Sequence, residues 1–423
     1  MNTIYLNPTD VLFFRDGRPM GGSATGHGAA WPLPHVINAA FHAALHRAEI
    51  KGVHTHKTGV STKRDKDAKR EQKFGGLTTV GPFPVNKKGE WFFPRPADAQ
   101  NSQSHSITLK PLGAETRPSS LGVGLLPAVN TCPPTKDQPE PWLSAQAWVA
   151  YLEQSNSTLP TGHYLLDSAF SDSEHQIGIG IDPAKGTTKA AAFYSASYLR
   201  LKPNWKLGVL AEAIDKLNGS NEERRDLIPA MLDTEQHLII GGQQRSCTTE
   251  LLLKAPIPLP TGPKVVGNRV KWTLLTPAIF PHIGEHPGGW LPSWIDKISL
   301  EIQLLDGPGK NKAARMGMPQ GQPIKAKLVG SIVNASLAVT GFATSTENSG
   351  AKSTHYAVQA GSVYYFEAEN ESQAKKLADA LNWCGASEKP PNTILNRRST
   401  LFGEKGFGIG VCSNWSPLTS HNL

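Results

Sequence analysis

Cysteine is scarce and scattered in this 423-residue chain: Cys132, Cys247, Cys384 and Cys412 never fall in a C-x-x-C pair. That spacing excludes a zinc ribbon and offers no disulfide framework. Long apolar runs are missing too. No stretch approaches the ~20 residues that cross a bilayer, and the basic-then-apolar pattern of a signal sequence is absent, so the expected location is cytoplasmic. Charged residues make up only 18% and apolar ones 39%, which excludes a highly charged disordered chain and fits a folded one. Two motif endings are absent as well. The glycine pattern at 403–410 lacks the Lys-Ser/Thr and the following helix of a Walker A loop, and no βαβ unit surrounds it as a dinucleotide fold requires. His42-Ala-Ala-Leu-His46 has zinc spacing but not the Glu of a metalloprotease, and no Cys or carboxylate stands at ligand spacing nearby. No metal or cofactor is expected.

Glycine and proline are abundant, 40 and 33, which favours strands and loops over long helices. The length suits two or three domains with real cores. The opening stretch 4–28 organises the rest. Ile4 to Phe14 supply strand formers, predicting a buried strand broken near Asn7-Pro8. It runs into Arg15-Asp16-Gly17-Arg18-Pro19 and a loop with further glycines, Gly26 among them, ending near His27. Two guanidinium groups delivered into a backbone-permissive loop suit a polyanion. The same residues also fit a tight turn with Arg15 paired to Asp16 or another acid.

The net charge of +8 is unevenly spread: residues 51–73 hold eight Lys/Arg against Asp65, Asp67 and Glu71. This reads as an exposed basic loop that attracts nucleic acid without specifying it, or equally as a solvated insertion with no ligand. A helix over 33–47 is predicted by Val36, Ile37, Ala40, Phe41, Ala44 and Leu45 at helical spacing. Its N-terminus would aim at the Arg15/Arg18 turn. Residues 77–94 read as a hairpin around Asn86–Gly89, residues 97–140 as a long insertion with little periodicity, and 145–154 as a helix.

In 176–201, Ile177, Ile179 and Ile181 alternate with glycine and Phe193 to Leu201 return, leaving a tip with Lys185 and Lys189. A basic hairpin of this kind suits nucleic acid, with Tyr194 as a stacking ring; an ordinary surface hairpin is the plainer alternative. A helical patch near 221–232 precedes a strand that enters a Gly-Gly turn offering Gln243, Gln244 and Arg245. Residues 255–268 look like a seam. Beyond it, strands are expected at 270–280, 298–304, 324–339 and 358–367, a second basic loop at 306–322, and a helix at 371–383. The chain closes on Arg397-Arg398 and a glycine loop with Lys405 and Phe407, a loop suited to tracking a ribose-phosphate chain and stacking a base. Both halves mix hairpins with one or two helices, predicting two α+β units.

Taken in order, L-x-P-x-D-V-L-F-F-R-D-G-R-P, I-G-I-D-x-x-K-G-T-x-K-x-x-x-F-Y, L-I-I-G-G-Q-Q-R-S, A-G-S-V-Y-Y-F-E and the closing G-F-G-I-G resemble one family across nearly the whole chain. The family is subunit three of the Cmr effector complex of type III-B CRISPR antiviral systems, a five-like member of the repeat-associated mysterious protein (RAMP) superfamily. The resemblance implies an α+β fold of two ferredoxin-like (RRM-type) domains with long β-hairpin and loop insertions. Residues 1–255 would form the first, with insertions at 51–73 and 97–140 and a thumb-like hairpin at 176–201; residues 256–423 would form the second.

It also implies a non-catalytic RNA-binding subunit that holds the repeat-derived 5′ tag of the CRISPR RNA. Its partners would be the large polymerase-type subunit and a backbone subunit, with target RNA met only indirectly and no membrane. On this resemblance Arg15, Arg18, Gly26 and His27 lie near the tag. The 182–193 tip is the finger that disturbs guide pairing at its first segment, and Gln244, Arg245 and the 403–410 loop line the groove. The family commonly has an acid and an Arg directly after the Gly-Gly turn; here Gln243-Gln244 intervene, so no ion pair is expected there. The competing class is a metal-independent ribonuclease that processes CRISPR RNA. It would need a positioned His, Tyr or Lys beside a ribose 2′-OH, for which His27, His35, His42 and Lys189 offer only scattered material.

Overall fold

In the computed structural model of the chain, the residues described are 1–15, 25–26, 31–48, 76–113, 121, 124–133, 136–214, 226–253, 255–343, 350–386 and 391–419. The basic segment 51–73, Arg18 and His27 lie outside them. Helices are mixed with antiparallel sheets in two compact units. One comprises Met1–Gly89, Ser168–Pro256 and Glu404–Gly406; the other comprises Glu90–Asp167, Ile257–Gly403 and Phe407–Leu423. The first unit's middle segment ends at Pro256, within the stretch 255–268 read as a seam, whereas 90–167 counts with the second unit and not with the N-terminal half.

In the first unit the main strands in chain order are Asn2–Pro8, Leu77–Val85, Lys206–Ala213 and Ser246–Leu252. Helix Pro34–Arg47 follows the first and helix Ile228–Thr234 the third. Side by side the strands stand fourth, first, third, second, with the short strand His237–Ile239 added beyond the fourth. All these neighbours are antiparallel. Ile4, Leu6, Leu207 and Val209 bury one sheet face against Ile37, Phe41 and Leu45 of the long helix and Ile228 and Met231 of the short one. The strand with Pro82 and Pro84 stands at the edge, where missing backbone donors break no ladder.

The second unit repeats this order with Arg269–Leu274, Ala326–Ile332, Val363–Ala368 and Gly410–Ser413, again antiparallel throughout. Helix Glu371–Leu381 follows the third strand, with Asn370 accepting the Gln373 N–H as its cap. The crossover after the first strand differs. Pro277, Pro281, Pro287 and Pro292 punctuate it, and its one helix, Lys310–Met316, is short. Phe280, Leu291, Ile295, Ile302 and Ile324 from this irregular chain pack with Trp272, Tyr364 and Phe366 instead.

The opposite face of that sheet carries Lys271, Thr273 and Tyr365, and it is covered from Glu90–Asp167. Lys271 Nζ donates to Asp98 Oδ2 at 3.2 Å, and both side chains are fully buried. The Tyr151 hydroxyl donates to Asp98 Oδ1 at 2.7 Å and lies 3.2 Å from the Thr273 hydroxyl; the Tyr365 hydroxyl donates to Asp98 Oδ2 at 3.0 Å. The ammonium also stands 4.1 Å from the Tyr151 ring centroid. Burial pushes the Lys271 pKa down against the pull of Asp98, while burial and then the Asp98 charge push both phenols well up. Arg95 secures the same segment. Its guanidinium donates to the carbonyls of Ala99, Asn101, Ser104 and Glu140 and pairs with the Glu140 carboxylate at 3.0 Å. Burial pushes its pKa down to about 10.

Several expectations are corrected here. The 77–94 hairpin does not form: Leu77–Val85 pairs with Lys206–Ala213, whereas Phe92–Pro94 pairs with Trp142–Ser144 in the other unit. Within the 97–140 stretch, fully buried Asp98 is bonded to Lys271 and Tyr365 of the second unit's sheet, and Ala99, Ser104 and Glu140 accept from Arg95. No strand forms at 298–304, where only isolated bridges occur. The long hairpin comprises Ser171–Asp182 and Thr187–Leu201, so its turn is 183–186 and Lys189 lies in the return strand, not at the tip.

Candidate nucleic-acid interface

The strand Asn2–Pro8 is flanked on both sides, and its exit is pinned where the Thr9 N–H donates to the Ser246 carbonyl at 3.0 Å. Residues 10–15 then leave the sheet and meet two distant stretches of the same unit. Leu12 and Leu199 exchange two backbone hydrogen bonds of 2.8 Å, which ties the segment to the long hairpin. The Gly242 N–H donates to the Phe13 carbonyl at 2.9 Å, which ties it to the 240–245 turn. That turn needs its glycines. Gly241 has φ +75°, and a Cβ on it would lie 2.4 Å from the Phe13 carbonyl oxygen; one on Gly242 would lie 2.7 Å from the Phe13 ring.

Gln243 and Gln244 follow with φ of 57° and 54°, left-handed values that cost a side-chain-bearing residue about 1–2 kcal/mol each. The Tyr198 hydroxyl donates to Gln243 Oε1 at 2.7 Å and holds the first of them. Arg245 lays its guanidinium 5.3 Å from the Tyr198 ring centroid, and the Phe13 ring tilts against Tyr198 at 5.3 Å. Arg245 Nη1 also reaches Asp10 Oδ2 at 3.1 Å. An ion pair therefore does exist beside the Gly-Gly turn. Its acid comes from the first strand's exit and not from the turn itself.

Asp10 accepts a second guanidinium, Arg200 Nη2 at 3.0 Å, and Arg200 pairs with Glu174 across the hairpin. The Val11 N–H and then Arg200 hold the Asp10 carboxyl below its usual range, and the Arg200 hydrogen bond does the same for Glu174. Because both folded values lie below the unfolded ones, this network stabilises the fold above the ordinary carboxylate range and is lost as pH falls through the folded values. The protection of the Leu12 and Leu199 amides against hydrogen exchange is expected to hold at neutral pH and to drop below about pH 4. Protection factors unchanged down to pH 2 would show that the two backbone bonds need no help from the charges.

Around this junction the structure assembles several residues picked out in sequence. Arg15 ends the segment and is exposed. Thr25–Gly26 forms a short parallel pairing with Ser195–Ala196 on the hairpin, which brings the glycine loop's Gly26 to the same place. Lys185 is exposed in the 183–186 turn, where the Gly186 N–H donates to the Asp182 carbonyl at 2.8 Å. Lys189 and Tyr194 lie on the return strand, with their side chains outside what is described. Ile177, Ile179 and Ile181 stand out of one strand at 71, 54 and 62% exposure, and glycines alternate with them. Asp10, Glu174, Tyr198 and Arg200 were missed in sequence.

The closing loop behaves differently. Phe407 is fully buried with its ring edge-on to Phe402, so it offers no stacking platform. Arg398 is mostly buried, donates from Nε to the Ala380 carbonyl in the last turn of helix Glu371–Leu381, and bonds Asn396 Oδ1. Arg397 Nη1 donates to the Ile394 carbonyl, and Lys405 is half-buried in the turn Gly403–Lys405. A Cβ on Gly408, at φ +75°, would lie 2.0 Å from the Ser399 nitrogen. The glycine there admits the chain's own backbone. Burial corrects the stacking role expected of Phe407, and the Arg398 guanidinium is engaged with Ala380 and Asn396.

Among the described residues one Ser–His–Glu grouping has the members of a relay but not its arrangement. Ser144 Oγ lies 2.7 Å from His163 Nδ1, with Glu90 3.5 Å from that same nitrogen. A relay needs the acid on the other ring nitrogen, and Ser144 is buried, accepting the Ala147 N–H as a helix cap. His42 and His46 stack edge-on at 4.7 Å, but among the described residues no three His, Cys, Asp or Glu converge on a metal position.

Both units thus share the antiparallel strand order fourth, first, third, second, and the first carries a cationic junction at the root of its long hairpin. The sequence profile of the family described as CRISPR-associated protein (Cas_Cmr3) matches residues 4–415, and the chain belongs to that family. Among solved structures it is similar to a chain of the type III-B Cmr-beta complex bound to cognate target RNA and AMPPnP, at 16% identity and TM-score 0.43, with 86% of each chain covered. A chain of the Csm3–Csm4 subcomplex from the type III-A CRISPR-Cas interference complex is similar at 11% identity and TM-score 0.37, over 88% of this chain and 98% of that one. No curated protein matches in sequence.

Proposed function

We propose that this chain is a non-catalytic, cytoplasmic RNA-binding subunit of a type III-B Cmr effector complex. It holds the 5′ repeat-derived tag of the CRISPR RNA and bridges the large polymerase-type subunit and a backbone subunit. Each unit is on this reading a ferredoxin-like (RRM-type) domain, which the strand order fourth, first, third, second in both sheets supports. The observation that carries the function is the convergence of exposed Arg15 and Gln244, half-buried Arg245 and the backbone of Gly26 at the root of the 171–201 hairpin. Guanidinium forks and a close-approach backbone suit phosphates, and a projecting ribbon with bare isoleucines suits a wedge that parts a paired strand.

The test is binding of labelled repeat-derived RNA to the reconstituted complex, with and without EDTA. Arg15→Ala/Arg18→Ala is expected to weaken binding about ten-fold and to flatten its salt dependence. Unchanged binding and salt slope would refute the tag-holding role. Specific cleavage that survives EDTA and disappears with a His→Ala change would favour the processing ribonuclease.

A further inference from the structure

The two units share more than strand order. In each, the connection between the second and third strands of the sheet carries an antiparallel hairpin that is not part of that sheet. In the first unit it is Ser171–Leu201. In the second it is built from Leu337–Val339 paired with His355–Ala357 and from Phe342–Ala343 paired with Gly350–Ala351. We infer that the second hairpin is a further single-stranded RNA contact, with Tyr356 as its stacking ring and Lys352 as its phosphate partner. The inference rests on reading the chain as an RNA-binding subunit.

The side chains along this hairpin divide by face. Val339 and Ala357 are buried, and the His355 ring stands edge-on to Phe402 at 5.9 Å, so these point inward. Tyr356 points the other way and is 67% exposed. Its cross-strand neighbour is Ala338, so no bulky group covers the ring from the facing strand. Lys352 is exposed and belongs to the same arm. Its N–H donates to the Gly341 carbonyl at 2.7 Å, and its own carbonyl accepts the Thr340 hydroxyl at 3.0 Å. A Cβ on Gly341 would meet Lys352 Cδ at 3.4 Å, so the lysine stem runs over the bare glycine.

The exposed groups of the arms, rather than net charge, which Glu347 and Lys352 balance within 337–357, favour a phosphate-bearing strand as the occupant. The described arms, 337–343 and 350–357, contain no Asp or Glu, while Lys352, Ser353, Thr354 and Tyr356 are exposed. An apolar protein partner would find one ring and little else. A base stacked on a tyrosine with an ammonium beside its phosphate uses everything the surface offers, and it does so without regard to base identity.

The experiment uses the assembled complex with CRISPR RNA carrying 4-thiouridine at successive positions. Photocrosslinks are mapped by mass spectrometry alongside affinities for wild type, Tyr356→Ala, Tyr356→Phe and Lys352→Ala. A crosslink to the 352–357 arm is expected, with Tyr356→Ala weakening binding at least about five-fold and Tyr356→Phe near wild type, because the ring and not the hydroxyl is used. Crosslinks confined to the first unit, with Tyr356→Ala at wild-type affinity, would overturn the inference. So would a Tyr356→Ala chain that enters the complex poorly yet leaves RNA affinity of the assembled fraction unchanged, which would make the face a protein interface. Arg15→Ala/Arg18→Ala serves as the separate gauge of the underlying function. If it alone has no effect while the 352–357 crosslink persists, the tag-holding role fails and this contact stands.

Discussion

Asp98→Ala is expected to destabilise the second unit by about 3–5 kcal/mol, the range found when one partner of a buried ion pair is removed. The carboxylate is the shared acceptor of Lys271, Tyr151 and Tyr365. Without it the fully buried ammonium and the Tyr365 hydroxyl lose their acceptor, and the Tyr151 hydroxyl keeps only Thr273. The Tyr151 ring, 4.1 Å away, offers the ammonium only partial compensation. Removing the whole charge pair should hurt far less: Asp98→Asn/Lys271→Met keeps an acceptor for the tyrosines and leaves no buried charge. Urea unfolding followed by tryptophan fluorescence measures both. The pair is unimportant if Asp98→Ala costs under 1 kcal/mol, or if the double variant is as unstable as the sum of its singles.

The second large effect concerns the turn beneath Arg15. Gly241→Ala places a methyl group 2.4 Å from the Phe13 carbonyl oxygen at a backbone φ of +75°. The conformation alone costs about 1–2 kcal/mol, and the collision forces the 10–15 segment off the turn, for a total of roughly 3 kcal/mol. Gly186→Ala is the control, because its φ is +64° but a Cβ there meets nothing within 4 Å. It should show the conformational cost alone. If Phe13 and Arg15 are positioned as proposed, Gly241→Ala also weakens RNA binding by the complex, whereas Gly186→Ala leaves it intact. Equal effects from the two substitutions would mean that the contact with Phe13 positions nothing.

Elements whose signal is local were legible from the sequence. The helix at 34–47 announced itself by apolar residues three and four apart, and the isoleucine-glycine alternation of 177–181 marked a strand. Pairing between distant strands has no such signature. A turn at Asn86–Gly89 and two apolar arms look the same whether the arms meet each other or, as here, separate partners. The site divides similarly. Arg15 and Arg245 were visible by residue type, but the acid that orients Arg245 is Asp10, 235 positions away. Phe407 misled because a glycine that admits the chain's own backbone, as Gly408 does at Ser399, cannot be told by its letter from one that admits a ligand. Asp98 was hidden in a stretch without periodicity because its function is to accept three donors from elsewhere, which leaves no trace in its neighbours.

The same carboxylate imposes an order of events on the ribosome. Lys271 is synthesised 173 residues after Asp98, and Tyr365 267 residues after it. At translation rates of about 5–20 residues per second, Asp98 waits roughly 13–53 s for its last partner. During that time Phe92, Phe93, Trp148 and Tyr151, all fully buried in the finished protein, have emerged, Tyr151 without the Lys271 and Thr273 it meets in the sheet. The nascent chain is therefore most exposed to misassociation in its middle, after residue 90 and before the third strand of the second sheet exists.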